Sequence, residues 1–429
     1  MRNFAWYFWI GVVFPLTFFM SMDRINIAVS AGIIEKTYHL TLIEITVILT
    51  SFWIFYAFMQ VPMAIFTERV GPRKALMFAS SWWSLFTILT PFGGFYYGFV
   101  AIRSLLGIGQ ATDWPASVTA INTYFEKEKR SQANSILLGG LYLGSVIGAI
   151  ITGYIASTIG WQWAFFIFGI LGFLTSFLWW HYFRDKPSEN KYLSEEEKNF
   201  LQAQKDASAE KTHMRQWRQF FGSYRFWAFG IQYLLLIMIQ SFYTTLLPIY
   251  LYSYKHISIA TVGKLTALPW AALFVTVFII GYLQRRTLVK TKSIYRARVP
   301  YALTGFSLAV VFLYIAMSVS NVYLAVYLMM ISMAGVGLVQ VTIWSSCQDL
   351  GQRHTLPVTG WVNMWGNAGS AFGPLFTAIL VTFGKSFSTA VIAVGLSALG
   401  GIILWLLIKP HIPLTPIEEH TKDASIVNG

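Results

Sequence analysis

The sequence predicts an all-α protein that crosses a membrane many times, and three observations carry that reading. The chain is 56% hydrophobic and only 11% charged over 429 residues, whereas soluble domains carry about 25% charged residues. It contains about twelve apolar runs, each near the roughly 20 residues a helix needs to cross a bilayer core. Lys and Arg gather in alternate loops, around Arg69–Lys74, Lys127–Arg130, Arg184–Arg225 and Arg285–Arg298. The positive-inside rule then places both termini and the long middle loop in the cytoplasm.

The spans follow in order. Span one, 6–31, is almost free of charge except for the adjacent Asp23 and Arg24. Either charge is costly in hydrocarbon, so the pair is expected to face a bundle interior or a watery cavity. Span two, 43–66, runs into QVPMAIFTERVGPRK, a proline followed by a basic exit. Span three covers 75–95, and span four, 98–122, carries Arg103, Gln110 and Asp113. Span five, 134–157, spaces Gly140, Gly144 and Gly148 four apart, and span six is 162–183. The hydrophilic stretch 184–224, with a polar and helical SEEEKNFLQAQKDASAEK, divides the spans six and six. Span seven, 225–250, holds Gln240 and Tyr243, and span eight, 259–283, repeats the proline and basic exit in ALPWAALFVTVFIIGYLQRRTLVK. Spans nine (299–319) and ten (321–346, with Trp344) precede span eleven, 356–381. Span eleven repeats the small-residue spacing with Gly366, Ser370 and Pro374, beside Gly369 and Gly373. Span twelve, 387–408, leads into a cytoplasmic tail, 409–429.

Small residues at every fourth position let helices approach closely. Their matched places in both halves predict two pseudo-repeated six-helix bundles, 1–183 and 225–408, although tight packing alone explains the glycines equally well. The net charge of +13 is topogenic and implies no nucleic-acid partner. One cysteine, Cys347, excludes an internal disulfide framework. The first apolar run has no small-residue cleavage site and reads as a retained span. The absence of any Asn-x-Ser/Thr acceptor favours a bacterial inner membrane. The histidines form no ligand cluster, and neither a phosphate-cradling loop nor a nucleophile–base pair is evident. No enzyme chemistry, metal or cofactor is expected.

The ordered motifs resemble a known family. Twelve spans, a long middle loop and GPRK after an acid–Arg pair are similar to the major facilitator superfamily, with Glu68 where Asp is usual and Ala64 where Gly is common. MDRINIAVS, RSLLGIGQATDWPA, YFEKEKRSQAN, GWQWAFFIFGILG, RDKPSENKYLSEEE and WVNMWGNAGSAFGP resemble, more narrowly, the anion:cation symporter family. Its members include hexuronate, galactonate, glucarate and phthalate permeases and vesicular glutamate and sialic acid carriers. The resemblance implies a major-facilitator-type fold and a conformational loop built on Glu68, Arg69, Gly71, Arg73 and Arg130. It also implies that Tyr56, Trp344, Asn363 and Asn367 belong to the substrate pocket. Where that family often has an acid before the arginine at the exit of span eight, GYLQRR has Arg285, so that loop is expected to relay charge more weakly than its first-half partner around Glu68 and Arg69.

Depth arithmetic brings the intramembrane charges together. At 1.5 Å per residue, Asp23 lies about 21 Å from the cytoplasmic face and Arg103 roughly 8 Å below the outer face. Arg24 and Arg103 then flank one cavity, and their fork-shaped donors suit carboxylate or phosphate. The alternatives are that Arg24 only pairs with Asp23 and that Arg103 snorkels outward. Gln110 stands where the resembling family has a glutamate implicated in proton coupling, and it cannot titrate. Asp113, on the same helical face, or Asp23 is left to carry the proton, the alternative being that Asp113 only lines a wet cavity or caps a local bend near Pro115. Gln240 and Tyr243 join the pocket by polarity alone. The expected function is secondary active transport of a small organic anion, a carboxylate such as a sugar acid, by proton symport and alternating access, as a monomer in the lipid bilayer. Two alternatives stay open: an organic-anion or organophosphate exchanger or facilitator without proton coupling, since GQATDWP also resembles organophosphate:phosphate antiporters, and a non-transporting sensor on the same fold.

Overall fold

The computed structural model describes residues 4–125, 130–206, 214–352, 355–384 and 386–414. Their regular structure is helical throughout. Among the described residues, eleven helices are long and apolar enough to cross a membrane. The place of span four is taken by two shorter helices, Tyr96–Gln110 and Asp113–Tyr124, where the sequence predicts one. Pro115 accounts for the interruption. It has no N–H for the carbonyl four residues earlier, and its ring crowds that turn. The break therefore falls between Gln110 and Asp113.

Local chemistry sets the other ends. Span two, Leu42–Val70, begins with a capping box: the Glu44 N–H donates to the Thr41 hydroxyl while the Thr41 N–H donates to the Glu44 carboxylate over 2.8 Å. It ends at Gly71, whose φ of 84° is in the region that only glycine enters freely. Span three, Pro72–Leu89, starts with proline at its first position, where a missing N–H costs nothing. Span seven is the irregular one. Its α-helix, Tyr224–Ser241, gives way to π-helical turns at Phe242–Leu246 and Tyr250–Tyr254 on either side of Leu247–Ile249.

The packing of the spans repeats with an offset of six. Span one lies on span five (Arg130–Thr158), and span seven on span eleven (Thr355–Gly384). Span two pairs with span four, and span eight (Ile259–Thr291) with span ten (Val322–Gly351). Span three meets span six (Trp161–Tyr182), as span nine (Ile294–Ser318) meets the two helices of span twelve, Phe387–Ser397 and Leu399–Ile408. Both small-residue stripes sit at equivalent contacts. A Cβ at Gly144 would run into the Phe18 carbonyl of span one, and one at Gly369 into the Leu234 carbonyl of span seven. The result is two six-helix bundles related by a pseudo-two-fold, joined through span five on span eight and span two on span eleven.

At the end of the bundles away from the termini, spans one and seven touch. The Ser253 hydroxyl donates to the Glu35 carboxylate over 2.6 Å, and the Lys36 ammonium lies 4.4 Å from the centre of the Tyr252 ring. Toward the termini the Asn363 amide of span eleven donates to the Gln60 carbonyl of span two over 3.2 Å. Between these contacts the bundles enclose space. In the middle segment, Glu195–Asp206 and Met214–Gly222 are helical, and the end of the polar stretch predicted to be helical lies outside the described residues.

Candidate substrate cavity

The cavity between the bundles has a volume of about 150 Å³. Arg24 is the only charged side chain among the described residues that line it. Span one points Arg24 at span two, where the guanidinium carbon lies 5.6, 5.5 and 5.3 Å from the ring centres of Phe52, Trp53 and Tyr56. Such faces attract a cation by about 0.5–2 kcal/mol. Its Nε donates to Gln110 Oε1 over 2.7 Å and its Nη2 to the Met20 sulfur over 3.8 Å, which fixes the fork at the edge of the cavity.

Arg103 is 2% exposed, so it does not reach the outer surface. It shares a smaller adjoining cavity with Arg24, Phe52, Thr244 and Thr245, with its guanidinium carbon 5.0 Å from the Phe52 ring. Its Nε and Nη1 have no hydrogen-bond partner among the described residues. The two arginines thus come together at similar depth. Asp23 is turned away from the main cavity, into the first bundle. It faces the Thr87 hydroxyl and the charges of Arg103 and Arg24, yet neither carboxylate oxygen closes a hydrogen bond among the described residues. Asp113 is equally buried, accepts from the Ser117 hydroxyl at 3.4 Å and lies within electrostatic reach of Arg24 and Tyr56. Two arginines and two aspartates therefore form one buried cluster whose formal charges cancel.

Gln240, Tyr56, Trp344, Asn363 and Asn367 all line the main cavity. Tyr243 does not. It is fully buried against Phe242, 5.2 Å between ring centres, and faces Ser332 in the second bundle. The lining residues of span seven are Tyr233, Ile237, Gln240, Ser241 and Thr244, a stripe that steps past Tyr243 as the helix turns. In its place stands Tyr142 of span five. The Tyr142 hydroxyl donates to Gln340 Oε1 over 2.6 Å, and Gln340 Nε2 donates to Gln240 Oε1, joining the halves across the cavity. Tyr142, Gln340 and Trp270 escaped the sequence reading. A glutamine in the middle of the apolar tenth span was the one available signal.

The conformational loop is arranged differently from its sequence description. Glu68 and Arg69 are exposed. Arg73 stacks on Trp180, 3.9 Å from the ring centre, and donates to the Trp180 carbonyl. Its N–H donates to Asp185 over 2.8 Å, and a Cβ on Gly71 would collide with that carboxylate. The side chain of Arg130 lies outside the described residues. In the second half, Arg298 Nε pairs with Asp349 at 2.8 Å and Nη1 donates to Gln284 at 3.1 Å. This network joins the ends of spans eight, nine and ten, and it is the ionic contact the sequence reading missed. Arg285, singled out there, takes no part in it, because Gln284 is the residue turned inward.

Among the described residues no three His, Cys, Asp or Glu side chains are placed to hold a metal ion. The chemistry on offer is recognition: one guanidinium fork, amide and indole N–H groups, hydroxyls and aromatic faces.

Comparison with known proteins agrees with the fold. A family model described as Major Facilitator Superfamily matches residues 13–357. The chloroplastic ascorbate transporter of Arabidopsis thaliana is 25% identical over 92% of this chain and 74% of its own. A probable galactarate/D-glucarate transporter of Escherichia coli K12 is 24% identical over 95% of both chains. Among solved structures, a bacterial homologue of the human lysosomal transporter Spinster, inward-facing and occupied, superposes with a TM-score of 0.75. It is 16% identical, and the match covers 96% of this chain and 98% of that one.

Proposed function

Because the chain belongs to the Major Facilitator Superfamily and is a multi-pass membrane transporter, we propose that it carries a small organic carboxylate by proton symport. The observation that carries this reading is Arg24, held by Gln110 and three aromatic rings at the edge of a cavity between two bundles. A guanidinium so placed attracts an anion and fixes its orientation. The bundles, 1–183 and 225–408, rock about that cavity as a monomer in a bacterial inner membrane, with both termini cytoplasmic. Tyr56, Gln240, Trp344, Asn363 and Asn367 contact the substrate, and Gly71 and Arg73 steady the loop between spans two and three.

Charge balance supports proton coupling. Asp23, Arg24, Arg103 and Asp113 sum to zero when all are ionised, so an entering carboxylate leaves one uncompensated negative charge in a poorly hydrated site. A proton on Asp23, which faces Arg103, Arg24 and Thr87, or on Asp113, which faces Arg24, Tyr56 and Ser117, restores neutrality. The proton and the anion then favour the same conformational step. In proteoliposomes with an acidic exterior, labelled D-galactonate should accumulate above its equilibrium level and should not do so in Asp23→Asn or Asp113→Asn. Uptake that ignores both the pH gradient and added sodium would overturn symport. The second reading, exchange, is favoured by Gln110, which engages Arg24 without titrating; counterflow with no response to pH would support it.

A further inference from the structure

The wall of the cavity contributed by spans seven to eleven has no charged side chain among its described residues. Its polar groups are neutral hydroxyls, amides and indoles, and two of its N–H groups lack a partner among the described residues. Trp270 Nε1 and Asn367 Nδ2 belong to residues 5% and 7% exposed, both line the cavity, and neither has a hydrogen-bond partner among the described residues. Gln240 adds to them. Its carbonyl already accepts from Gln340, whose own carbonyl accepts from Tyr142, so the amide N–H groups of Gln240 remain for an occupant. Across the cavity stands Arg24, the one cation among the described residues that line it.

Resting on the anion-site reading above, we propose that the substrate is a monoanion. Its single carboxylate meets Arg24, and an uncharged acceptor at its other end, a hydroxyl or carbonyl oxygen, meets Trp270 and Asn367. Its body lies between aromatic faces such as Tyr142 and Trp344. A second carboxylate at the far end would exchange water for neutral donors and aromatic walls, with no cation to offset its charge, and would repel the first across a small, poorly screened space. A neutral N–H donates more strongly to an oxyanion than to a neutral oxygen, but it brings no net charge to offset the dehydration of a second carboxylate or its repulsion by the first. Charge number is therefore read by the absence of a cation on one wall.

Matched acids test this. Purified full-length protein would be titrated at pH 7.5 with D-galactonate against galactarate, and with 4-hydroxybenzoate against terephthalate, reading ligand-induced thermal stabilisation. The monoanion of a pair should half-saturate at about a tenth of the dianion concentration or less. Asn367→Lys, which adds a cation at the far wall, should narrow or reverse that ratio. Trp270→Phe, which keeps the ring and removes the N–H, should weaken 4-hydroxybenzoate while leaving benzoate, which has no far acceptor, unchanged. A dianion bound as tightly as its monoanion by the unmodified protein would overturn this inference alone. Stabilisation by neither member of either pair, or by neutral 4-hydroxybenzamide only, would overturn the anion site itself and this inference with it.

Discussion

Arg24 and Gln110, 86 positions apart in the chain, are joined by a 2.7 Å hydrogen bond from guanidinium to amide carbonyl. The bond orients the guanidinium without adding a third carboxylate to the two aspartates already within its electrostatic reach. Replacing the amide by a carboxylate would supply a resident anion instead. Gln110→Glu is expected to weaken carboxylate binding, and Arg24→Lys to weaken it further by removing the fork. Loss of one hydrogen bond to a charged group is worth about 1.5–3 kcal/mol, or roughly ten- to a hundredfold in affinity. Half-saturating concentrations for uptake by the two variants check both.

The glycine contacts between spans one and five and between spans seven and eleven make a paired prediction. Gly144→Ala and Gly369→Ala each press a methyl group on a backbone carbonyl, and overpacking of this kind costs about 1–3 kcal/mol. Gly281→Ala, with nothing within 4 Å of its Cβ, should leave stability unchanged or raise it. Thermal melts of the three variants in detergent decide the matter.

The Arg298–Asp349 pair is largely enclosed, with side chains 10% and 16% exposed. Arg298→Ala is expected to destabilise by about 3 kcal/mol, because it strands a carboxylate. Adding Asp349→Ala should recover part of that loss, so the two effects should fall short of additive. A double-mutant cycle on unfolding midpoints measures the coupling.

Asp185, outside the spans, gives a pH prediction. Burial pushes its carboxyl above the ordinary carboxylate range, against the lowering effect of the hydrogen bond from the Arg73 N–H and the charge of Arg73. An acid with a raised folded-state pKa keeps its proton longer in the folded state. Stability from this group is therefore full at acid pH and declines as pH rises from the ordinary carboxylate range through the raised value. Asp185→Asn should remove that decline, so the variant should gain on the unmodified protein between pH 4 and pH 8 in paired melts.

The fold was legible because each span must bury or expose some 20 apolar residues, a signal no loop imitates. The meeting of Arg24 and Arg103 at one small cavity was legible too, since rise per residue is fixed. Rotation about a helix axis was harder. Gln240 and Tyr243 look equivalent on one turn, yet the cavity stripe of span seven includes Gln240 and Thr244 and passes Tyr243 by. Tyr142 and Gln340, 198 positions apart, meet only because spans five and ten converge on the cavity. Asp349, Arg298 and Gln284 come from three span ends, so none announced its partners. The break between Gln110 and Asp113 is foreshadowed by Pro115 as a local bend, although the apolar run reads as a single span.

The contacts between spans one and seven at the end away from the termini set an energy scale. The hydroxyl on the Glu35 carboxylate is worth about 1.5–3 kcal/mol, and the ammonium over the Tyr252 ring about 0.5–1 kcal/mol. An equilibrium moves tenfold for about 1.4 kcal/mol. On the alternating-access reading proposed above, parting this end costs these two contacts an amount of the same order as one charge-assisted hydrogen bond gained in the cavity.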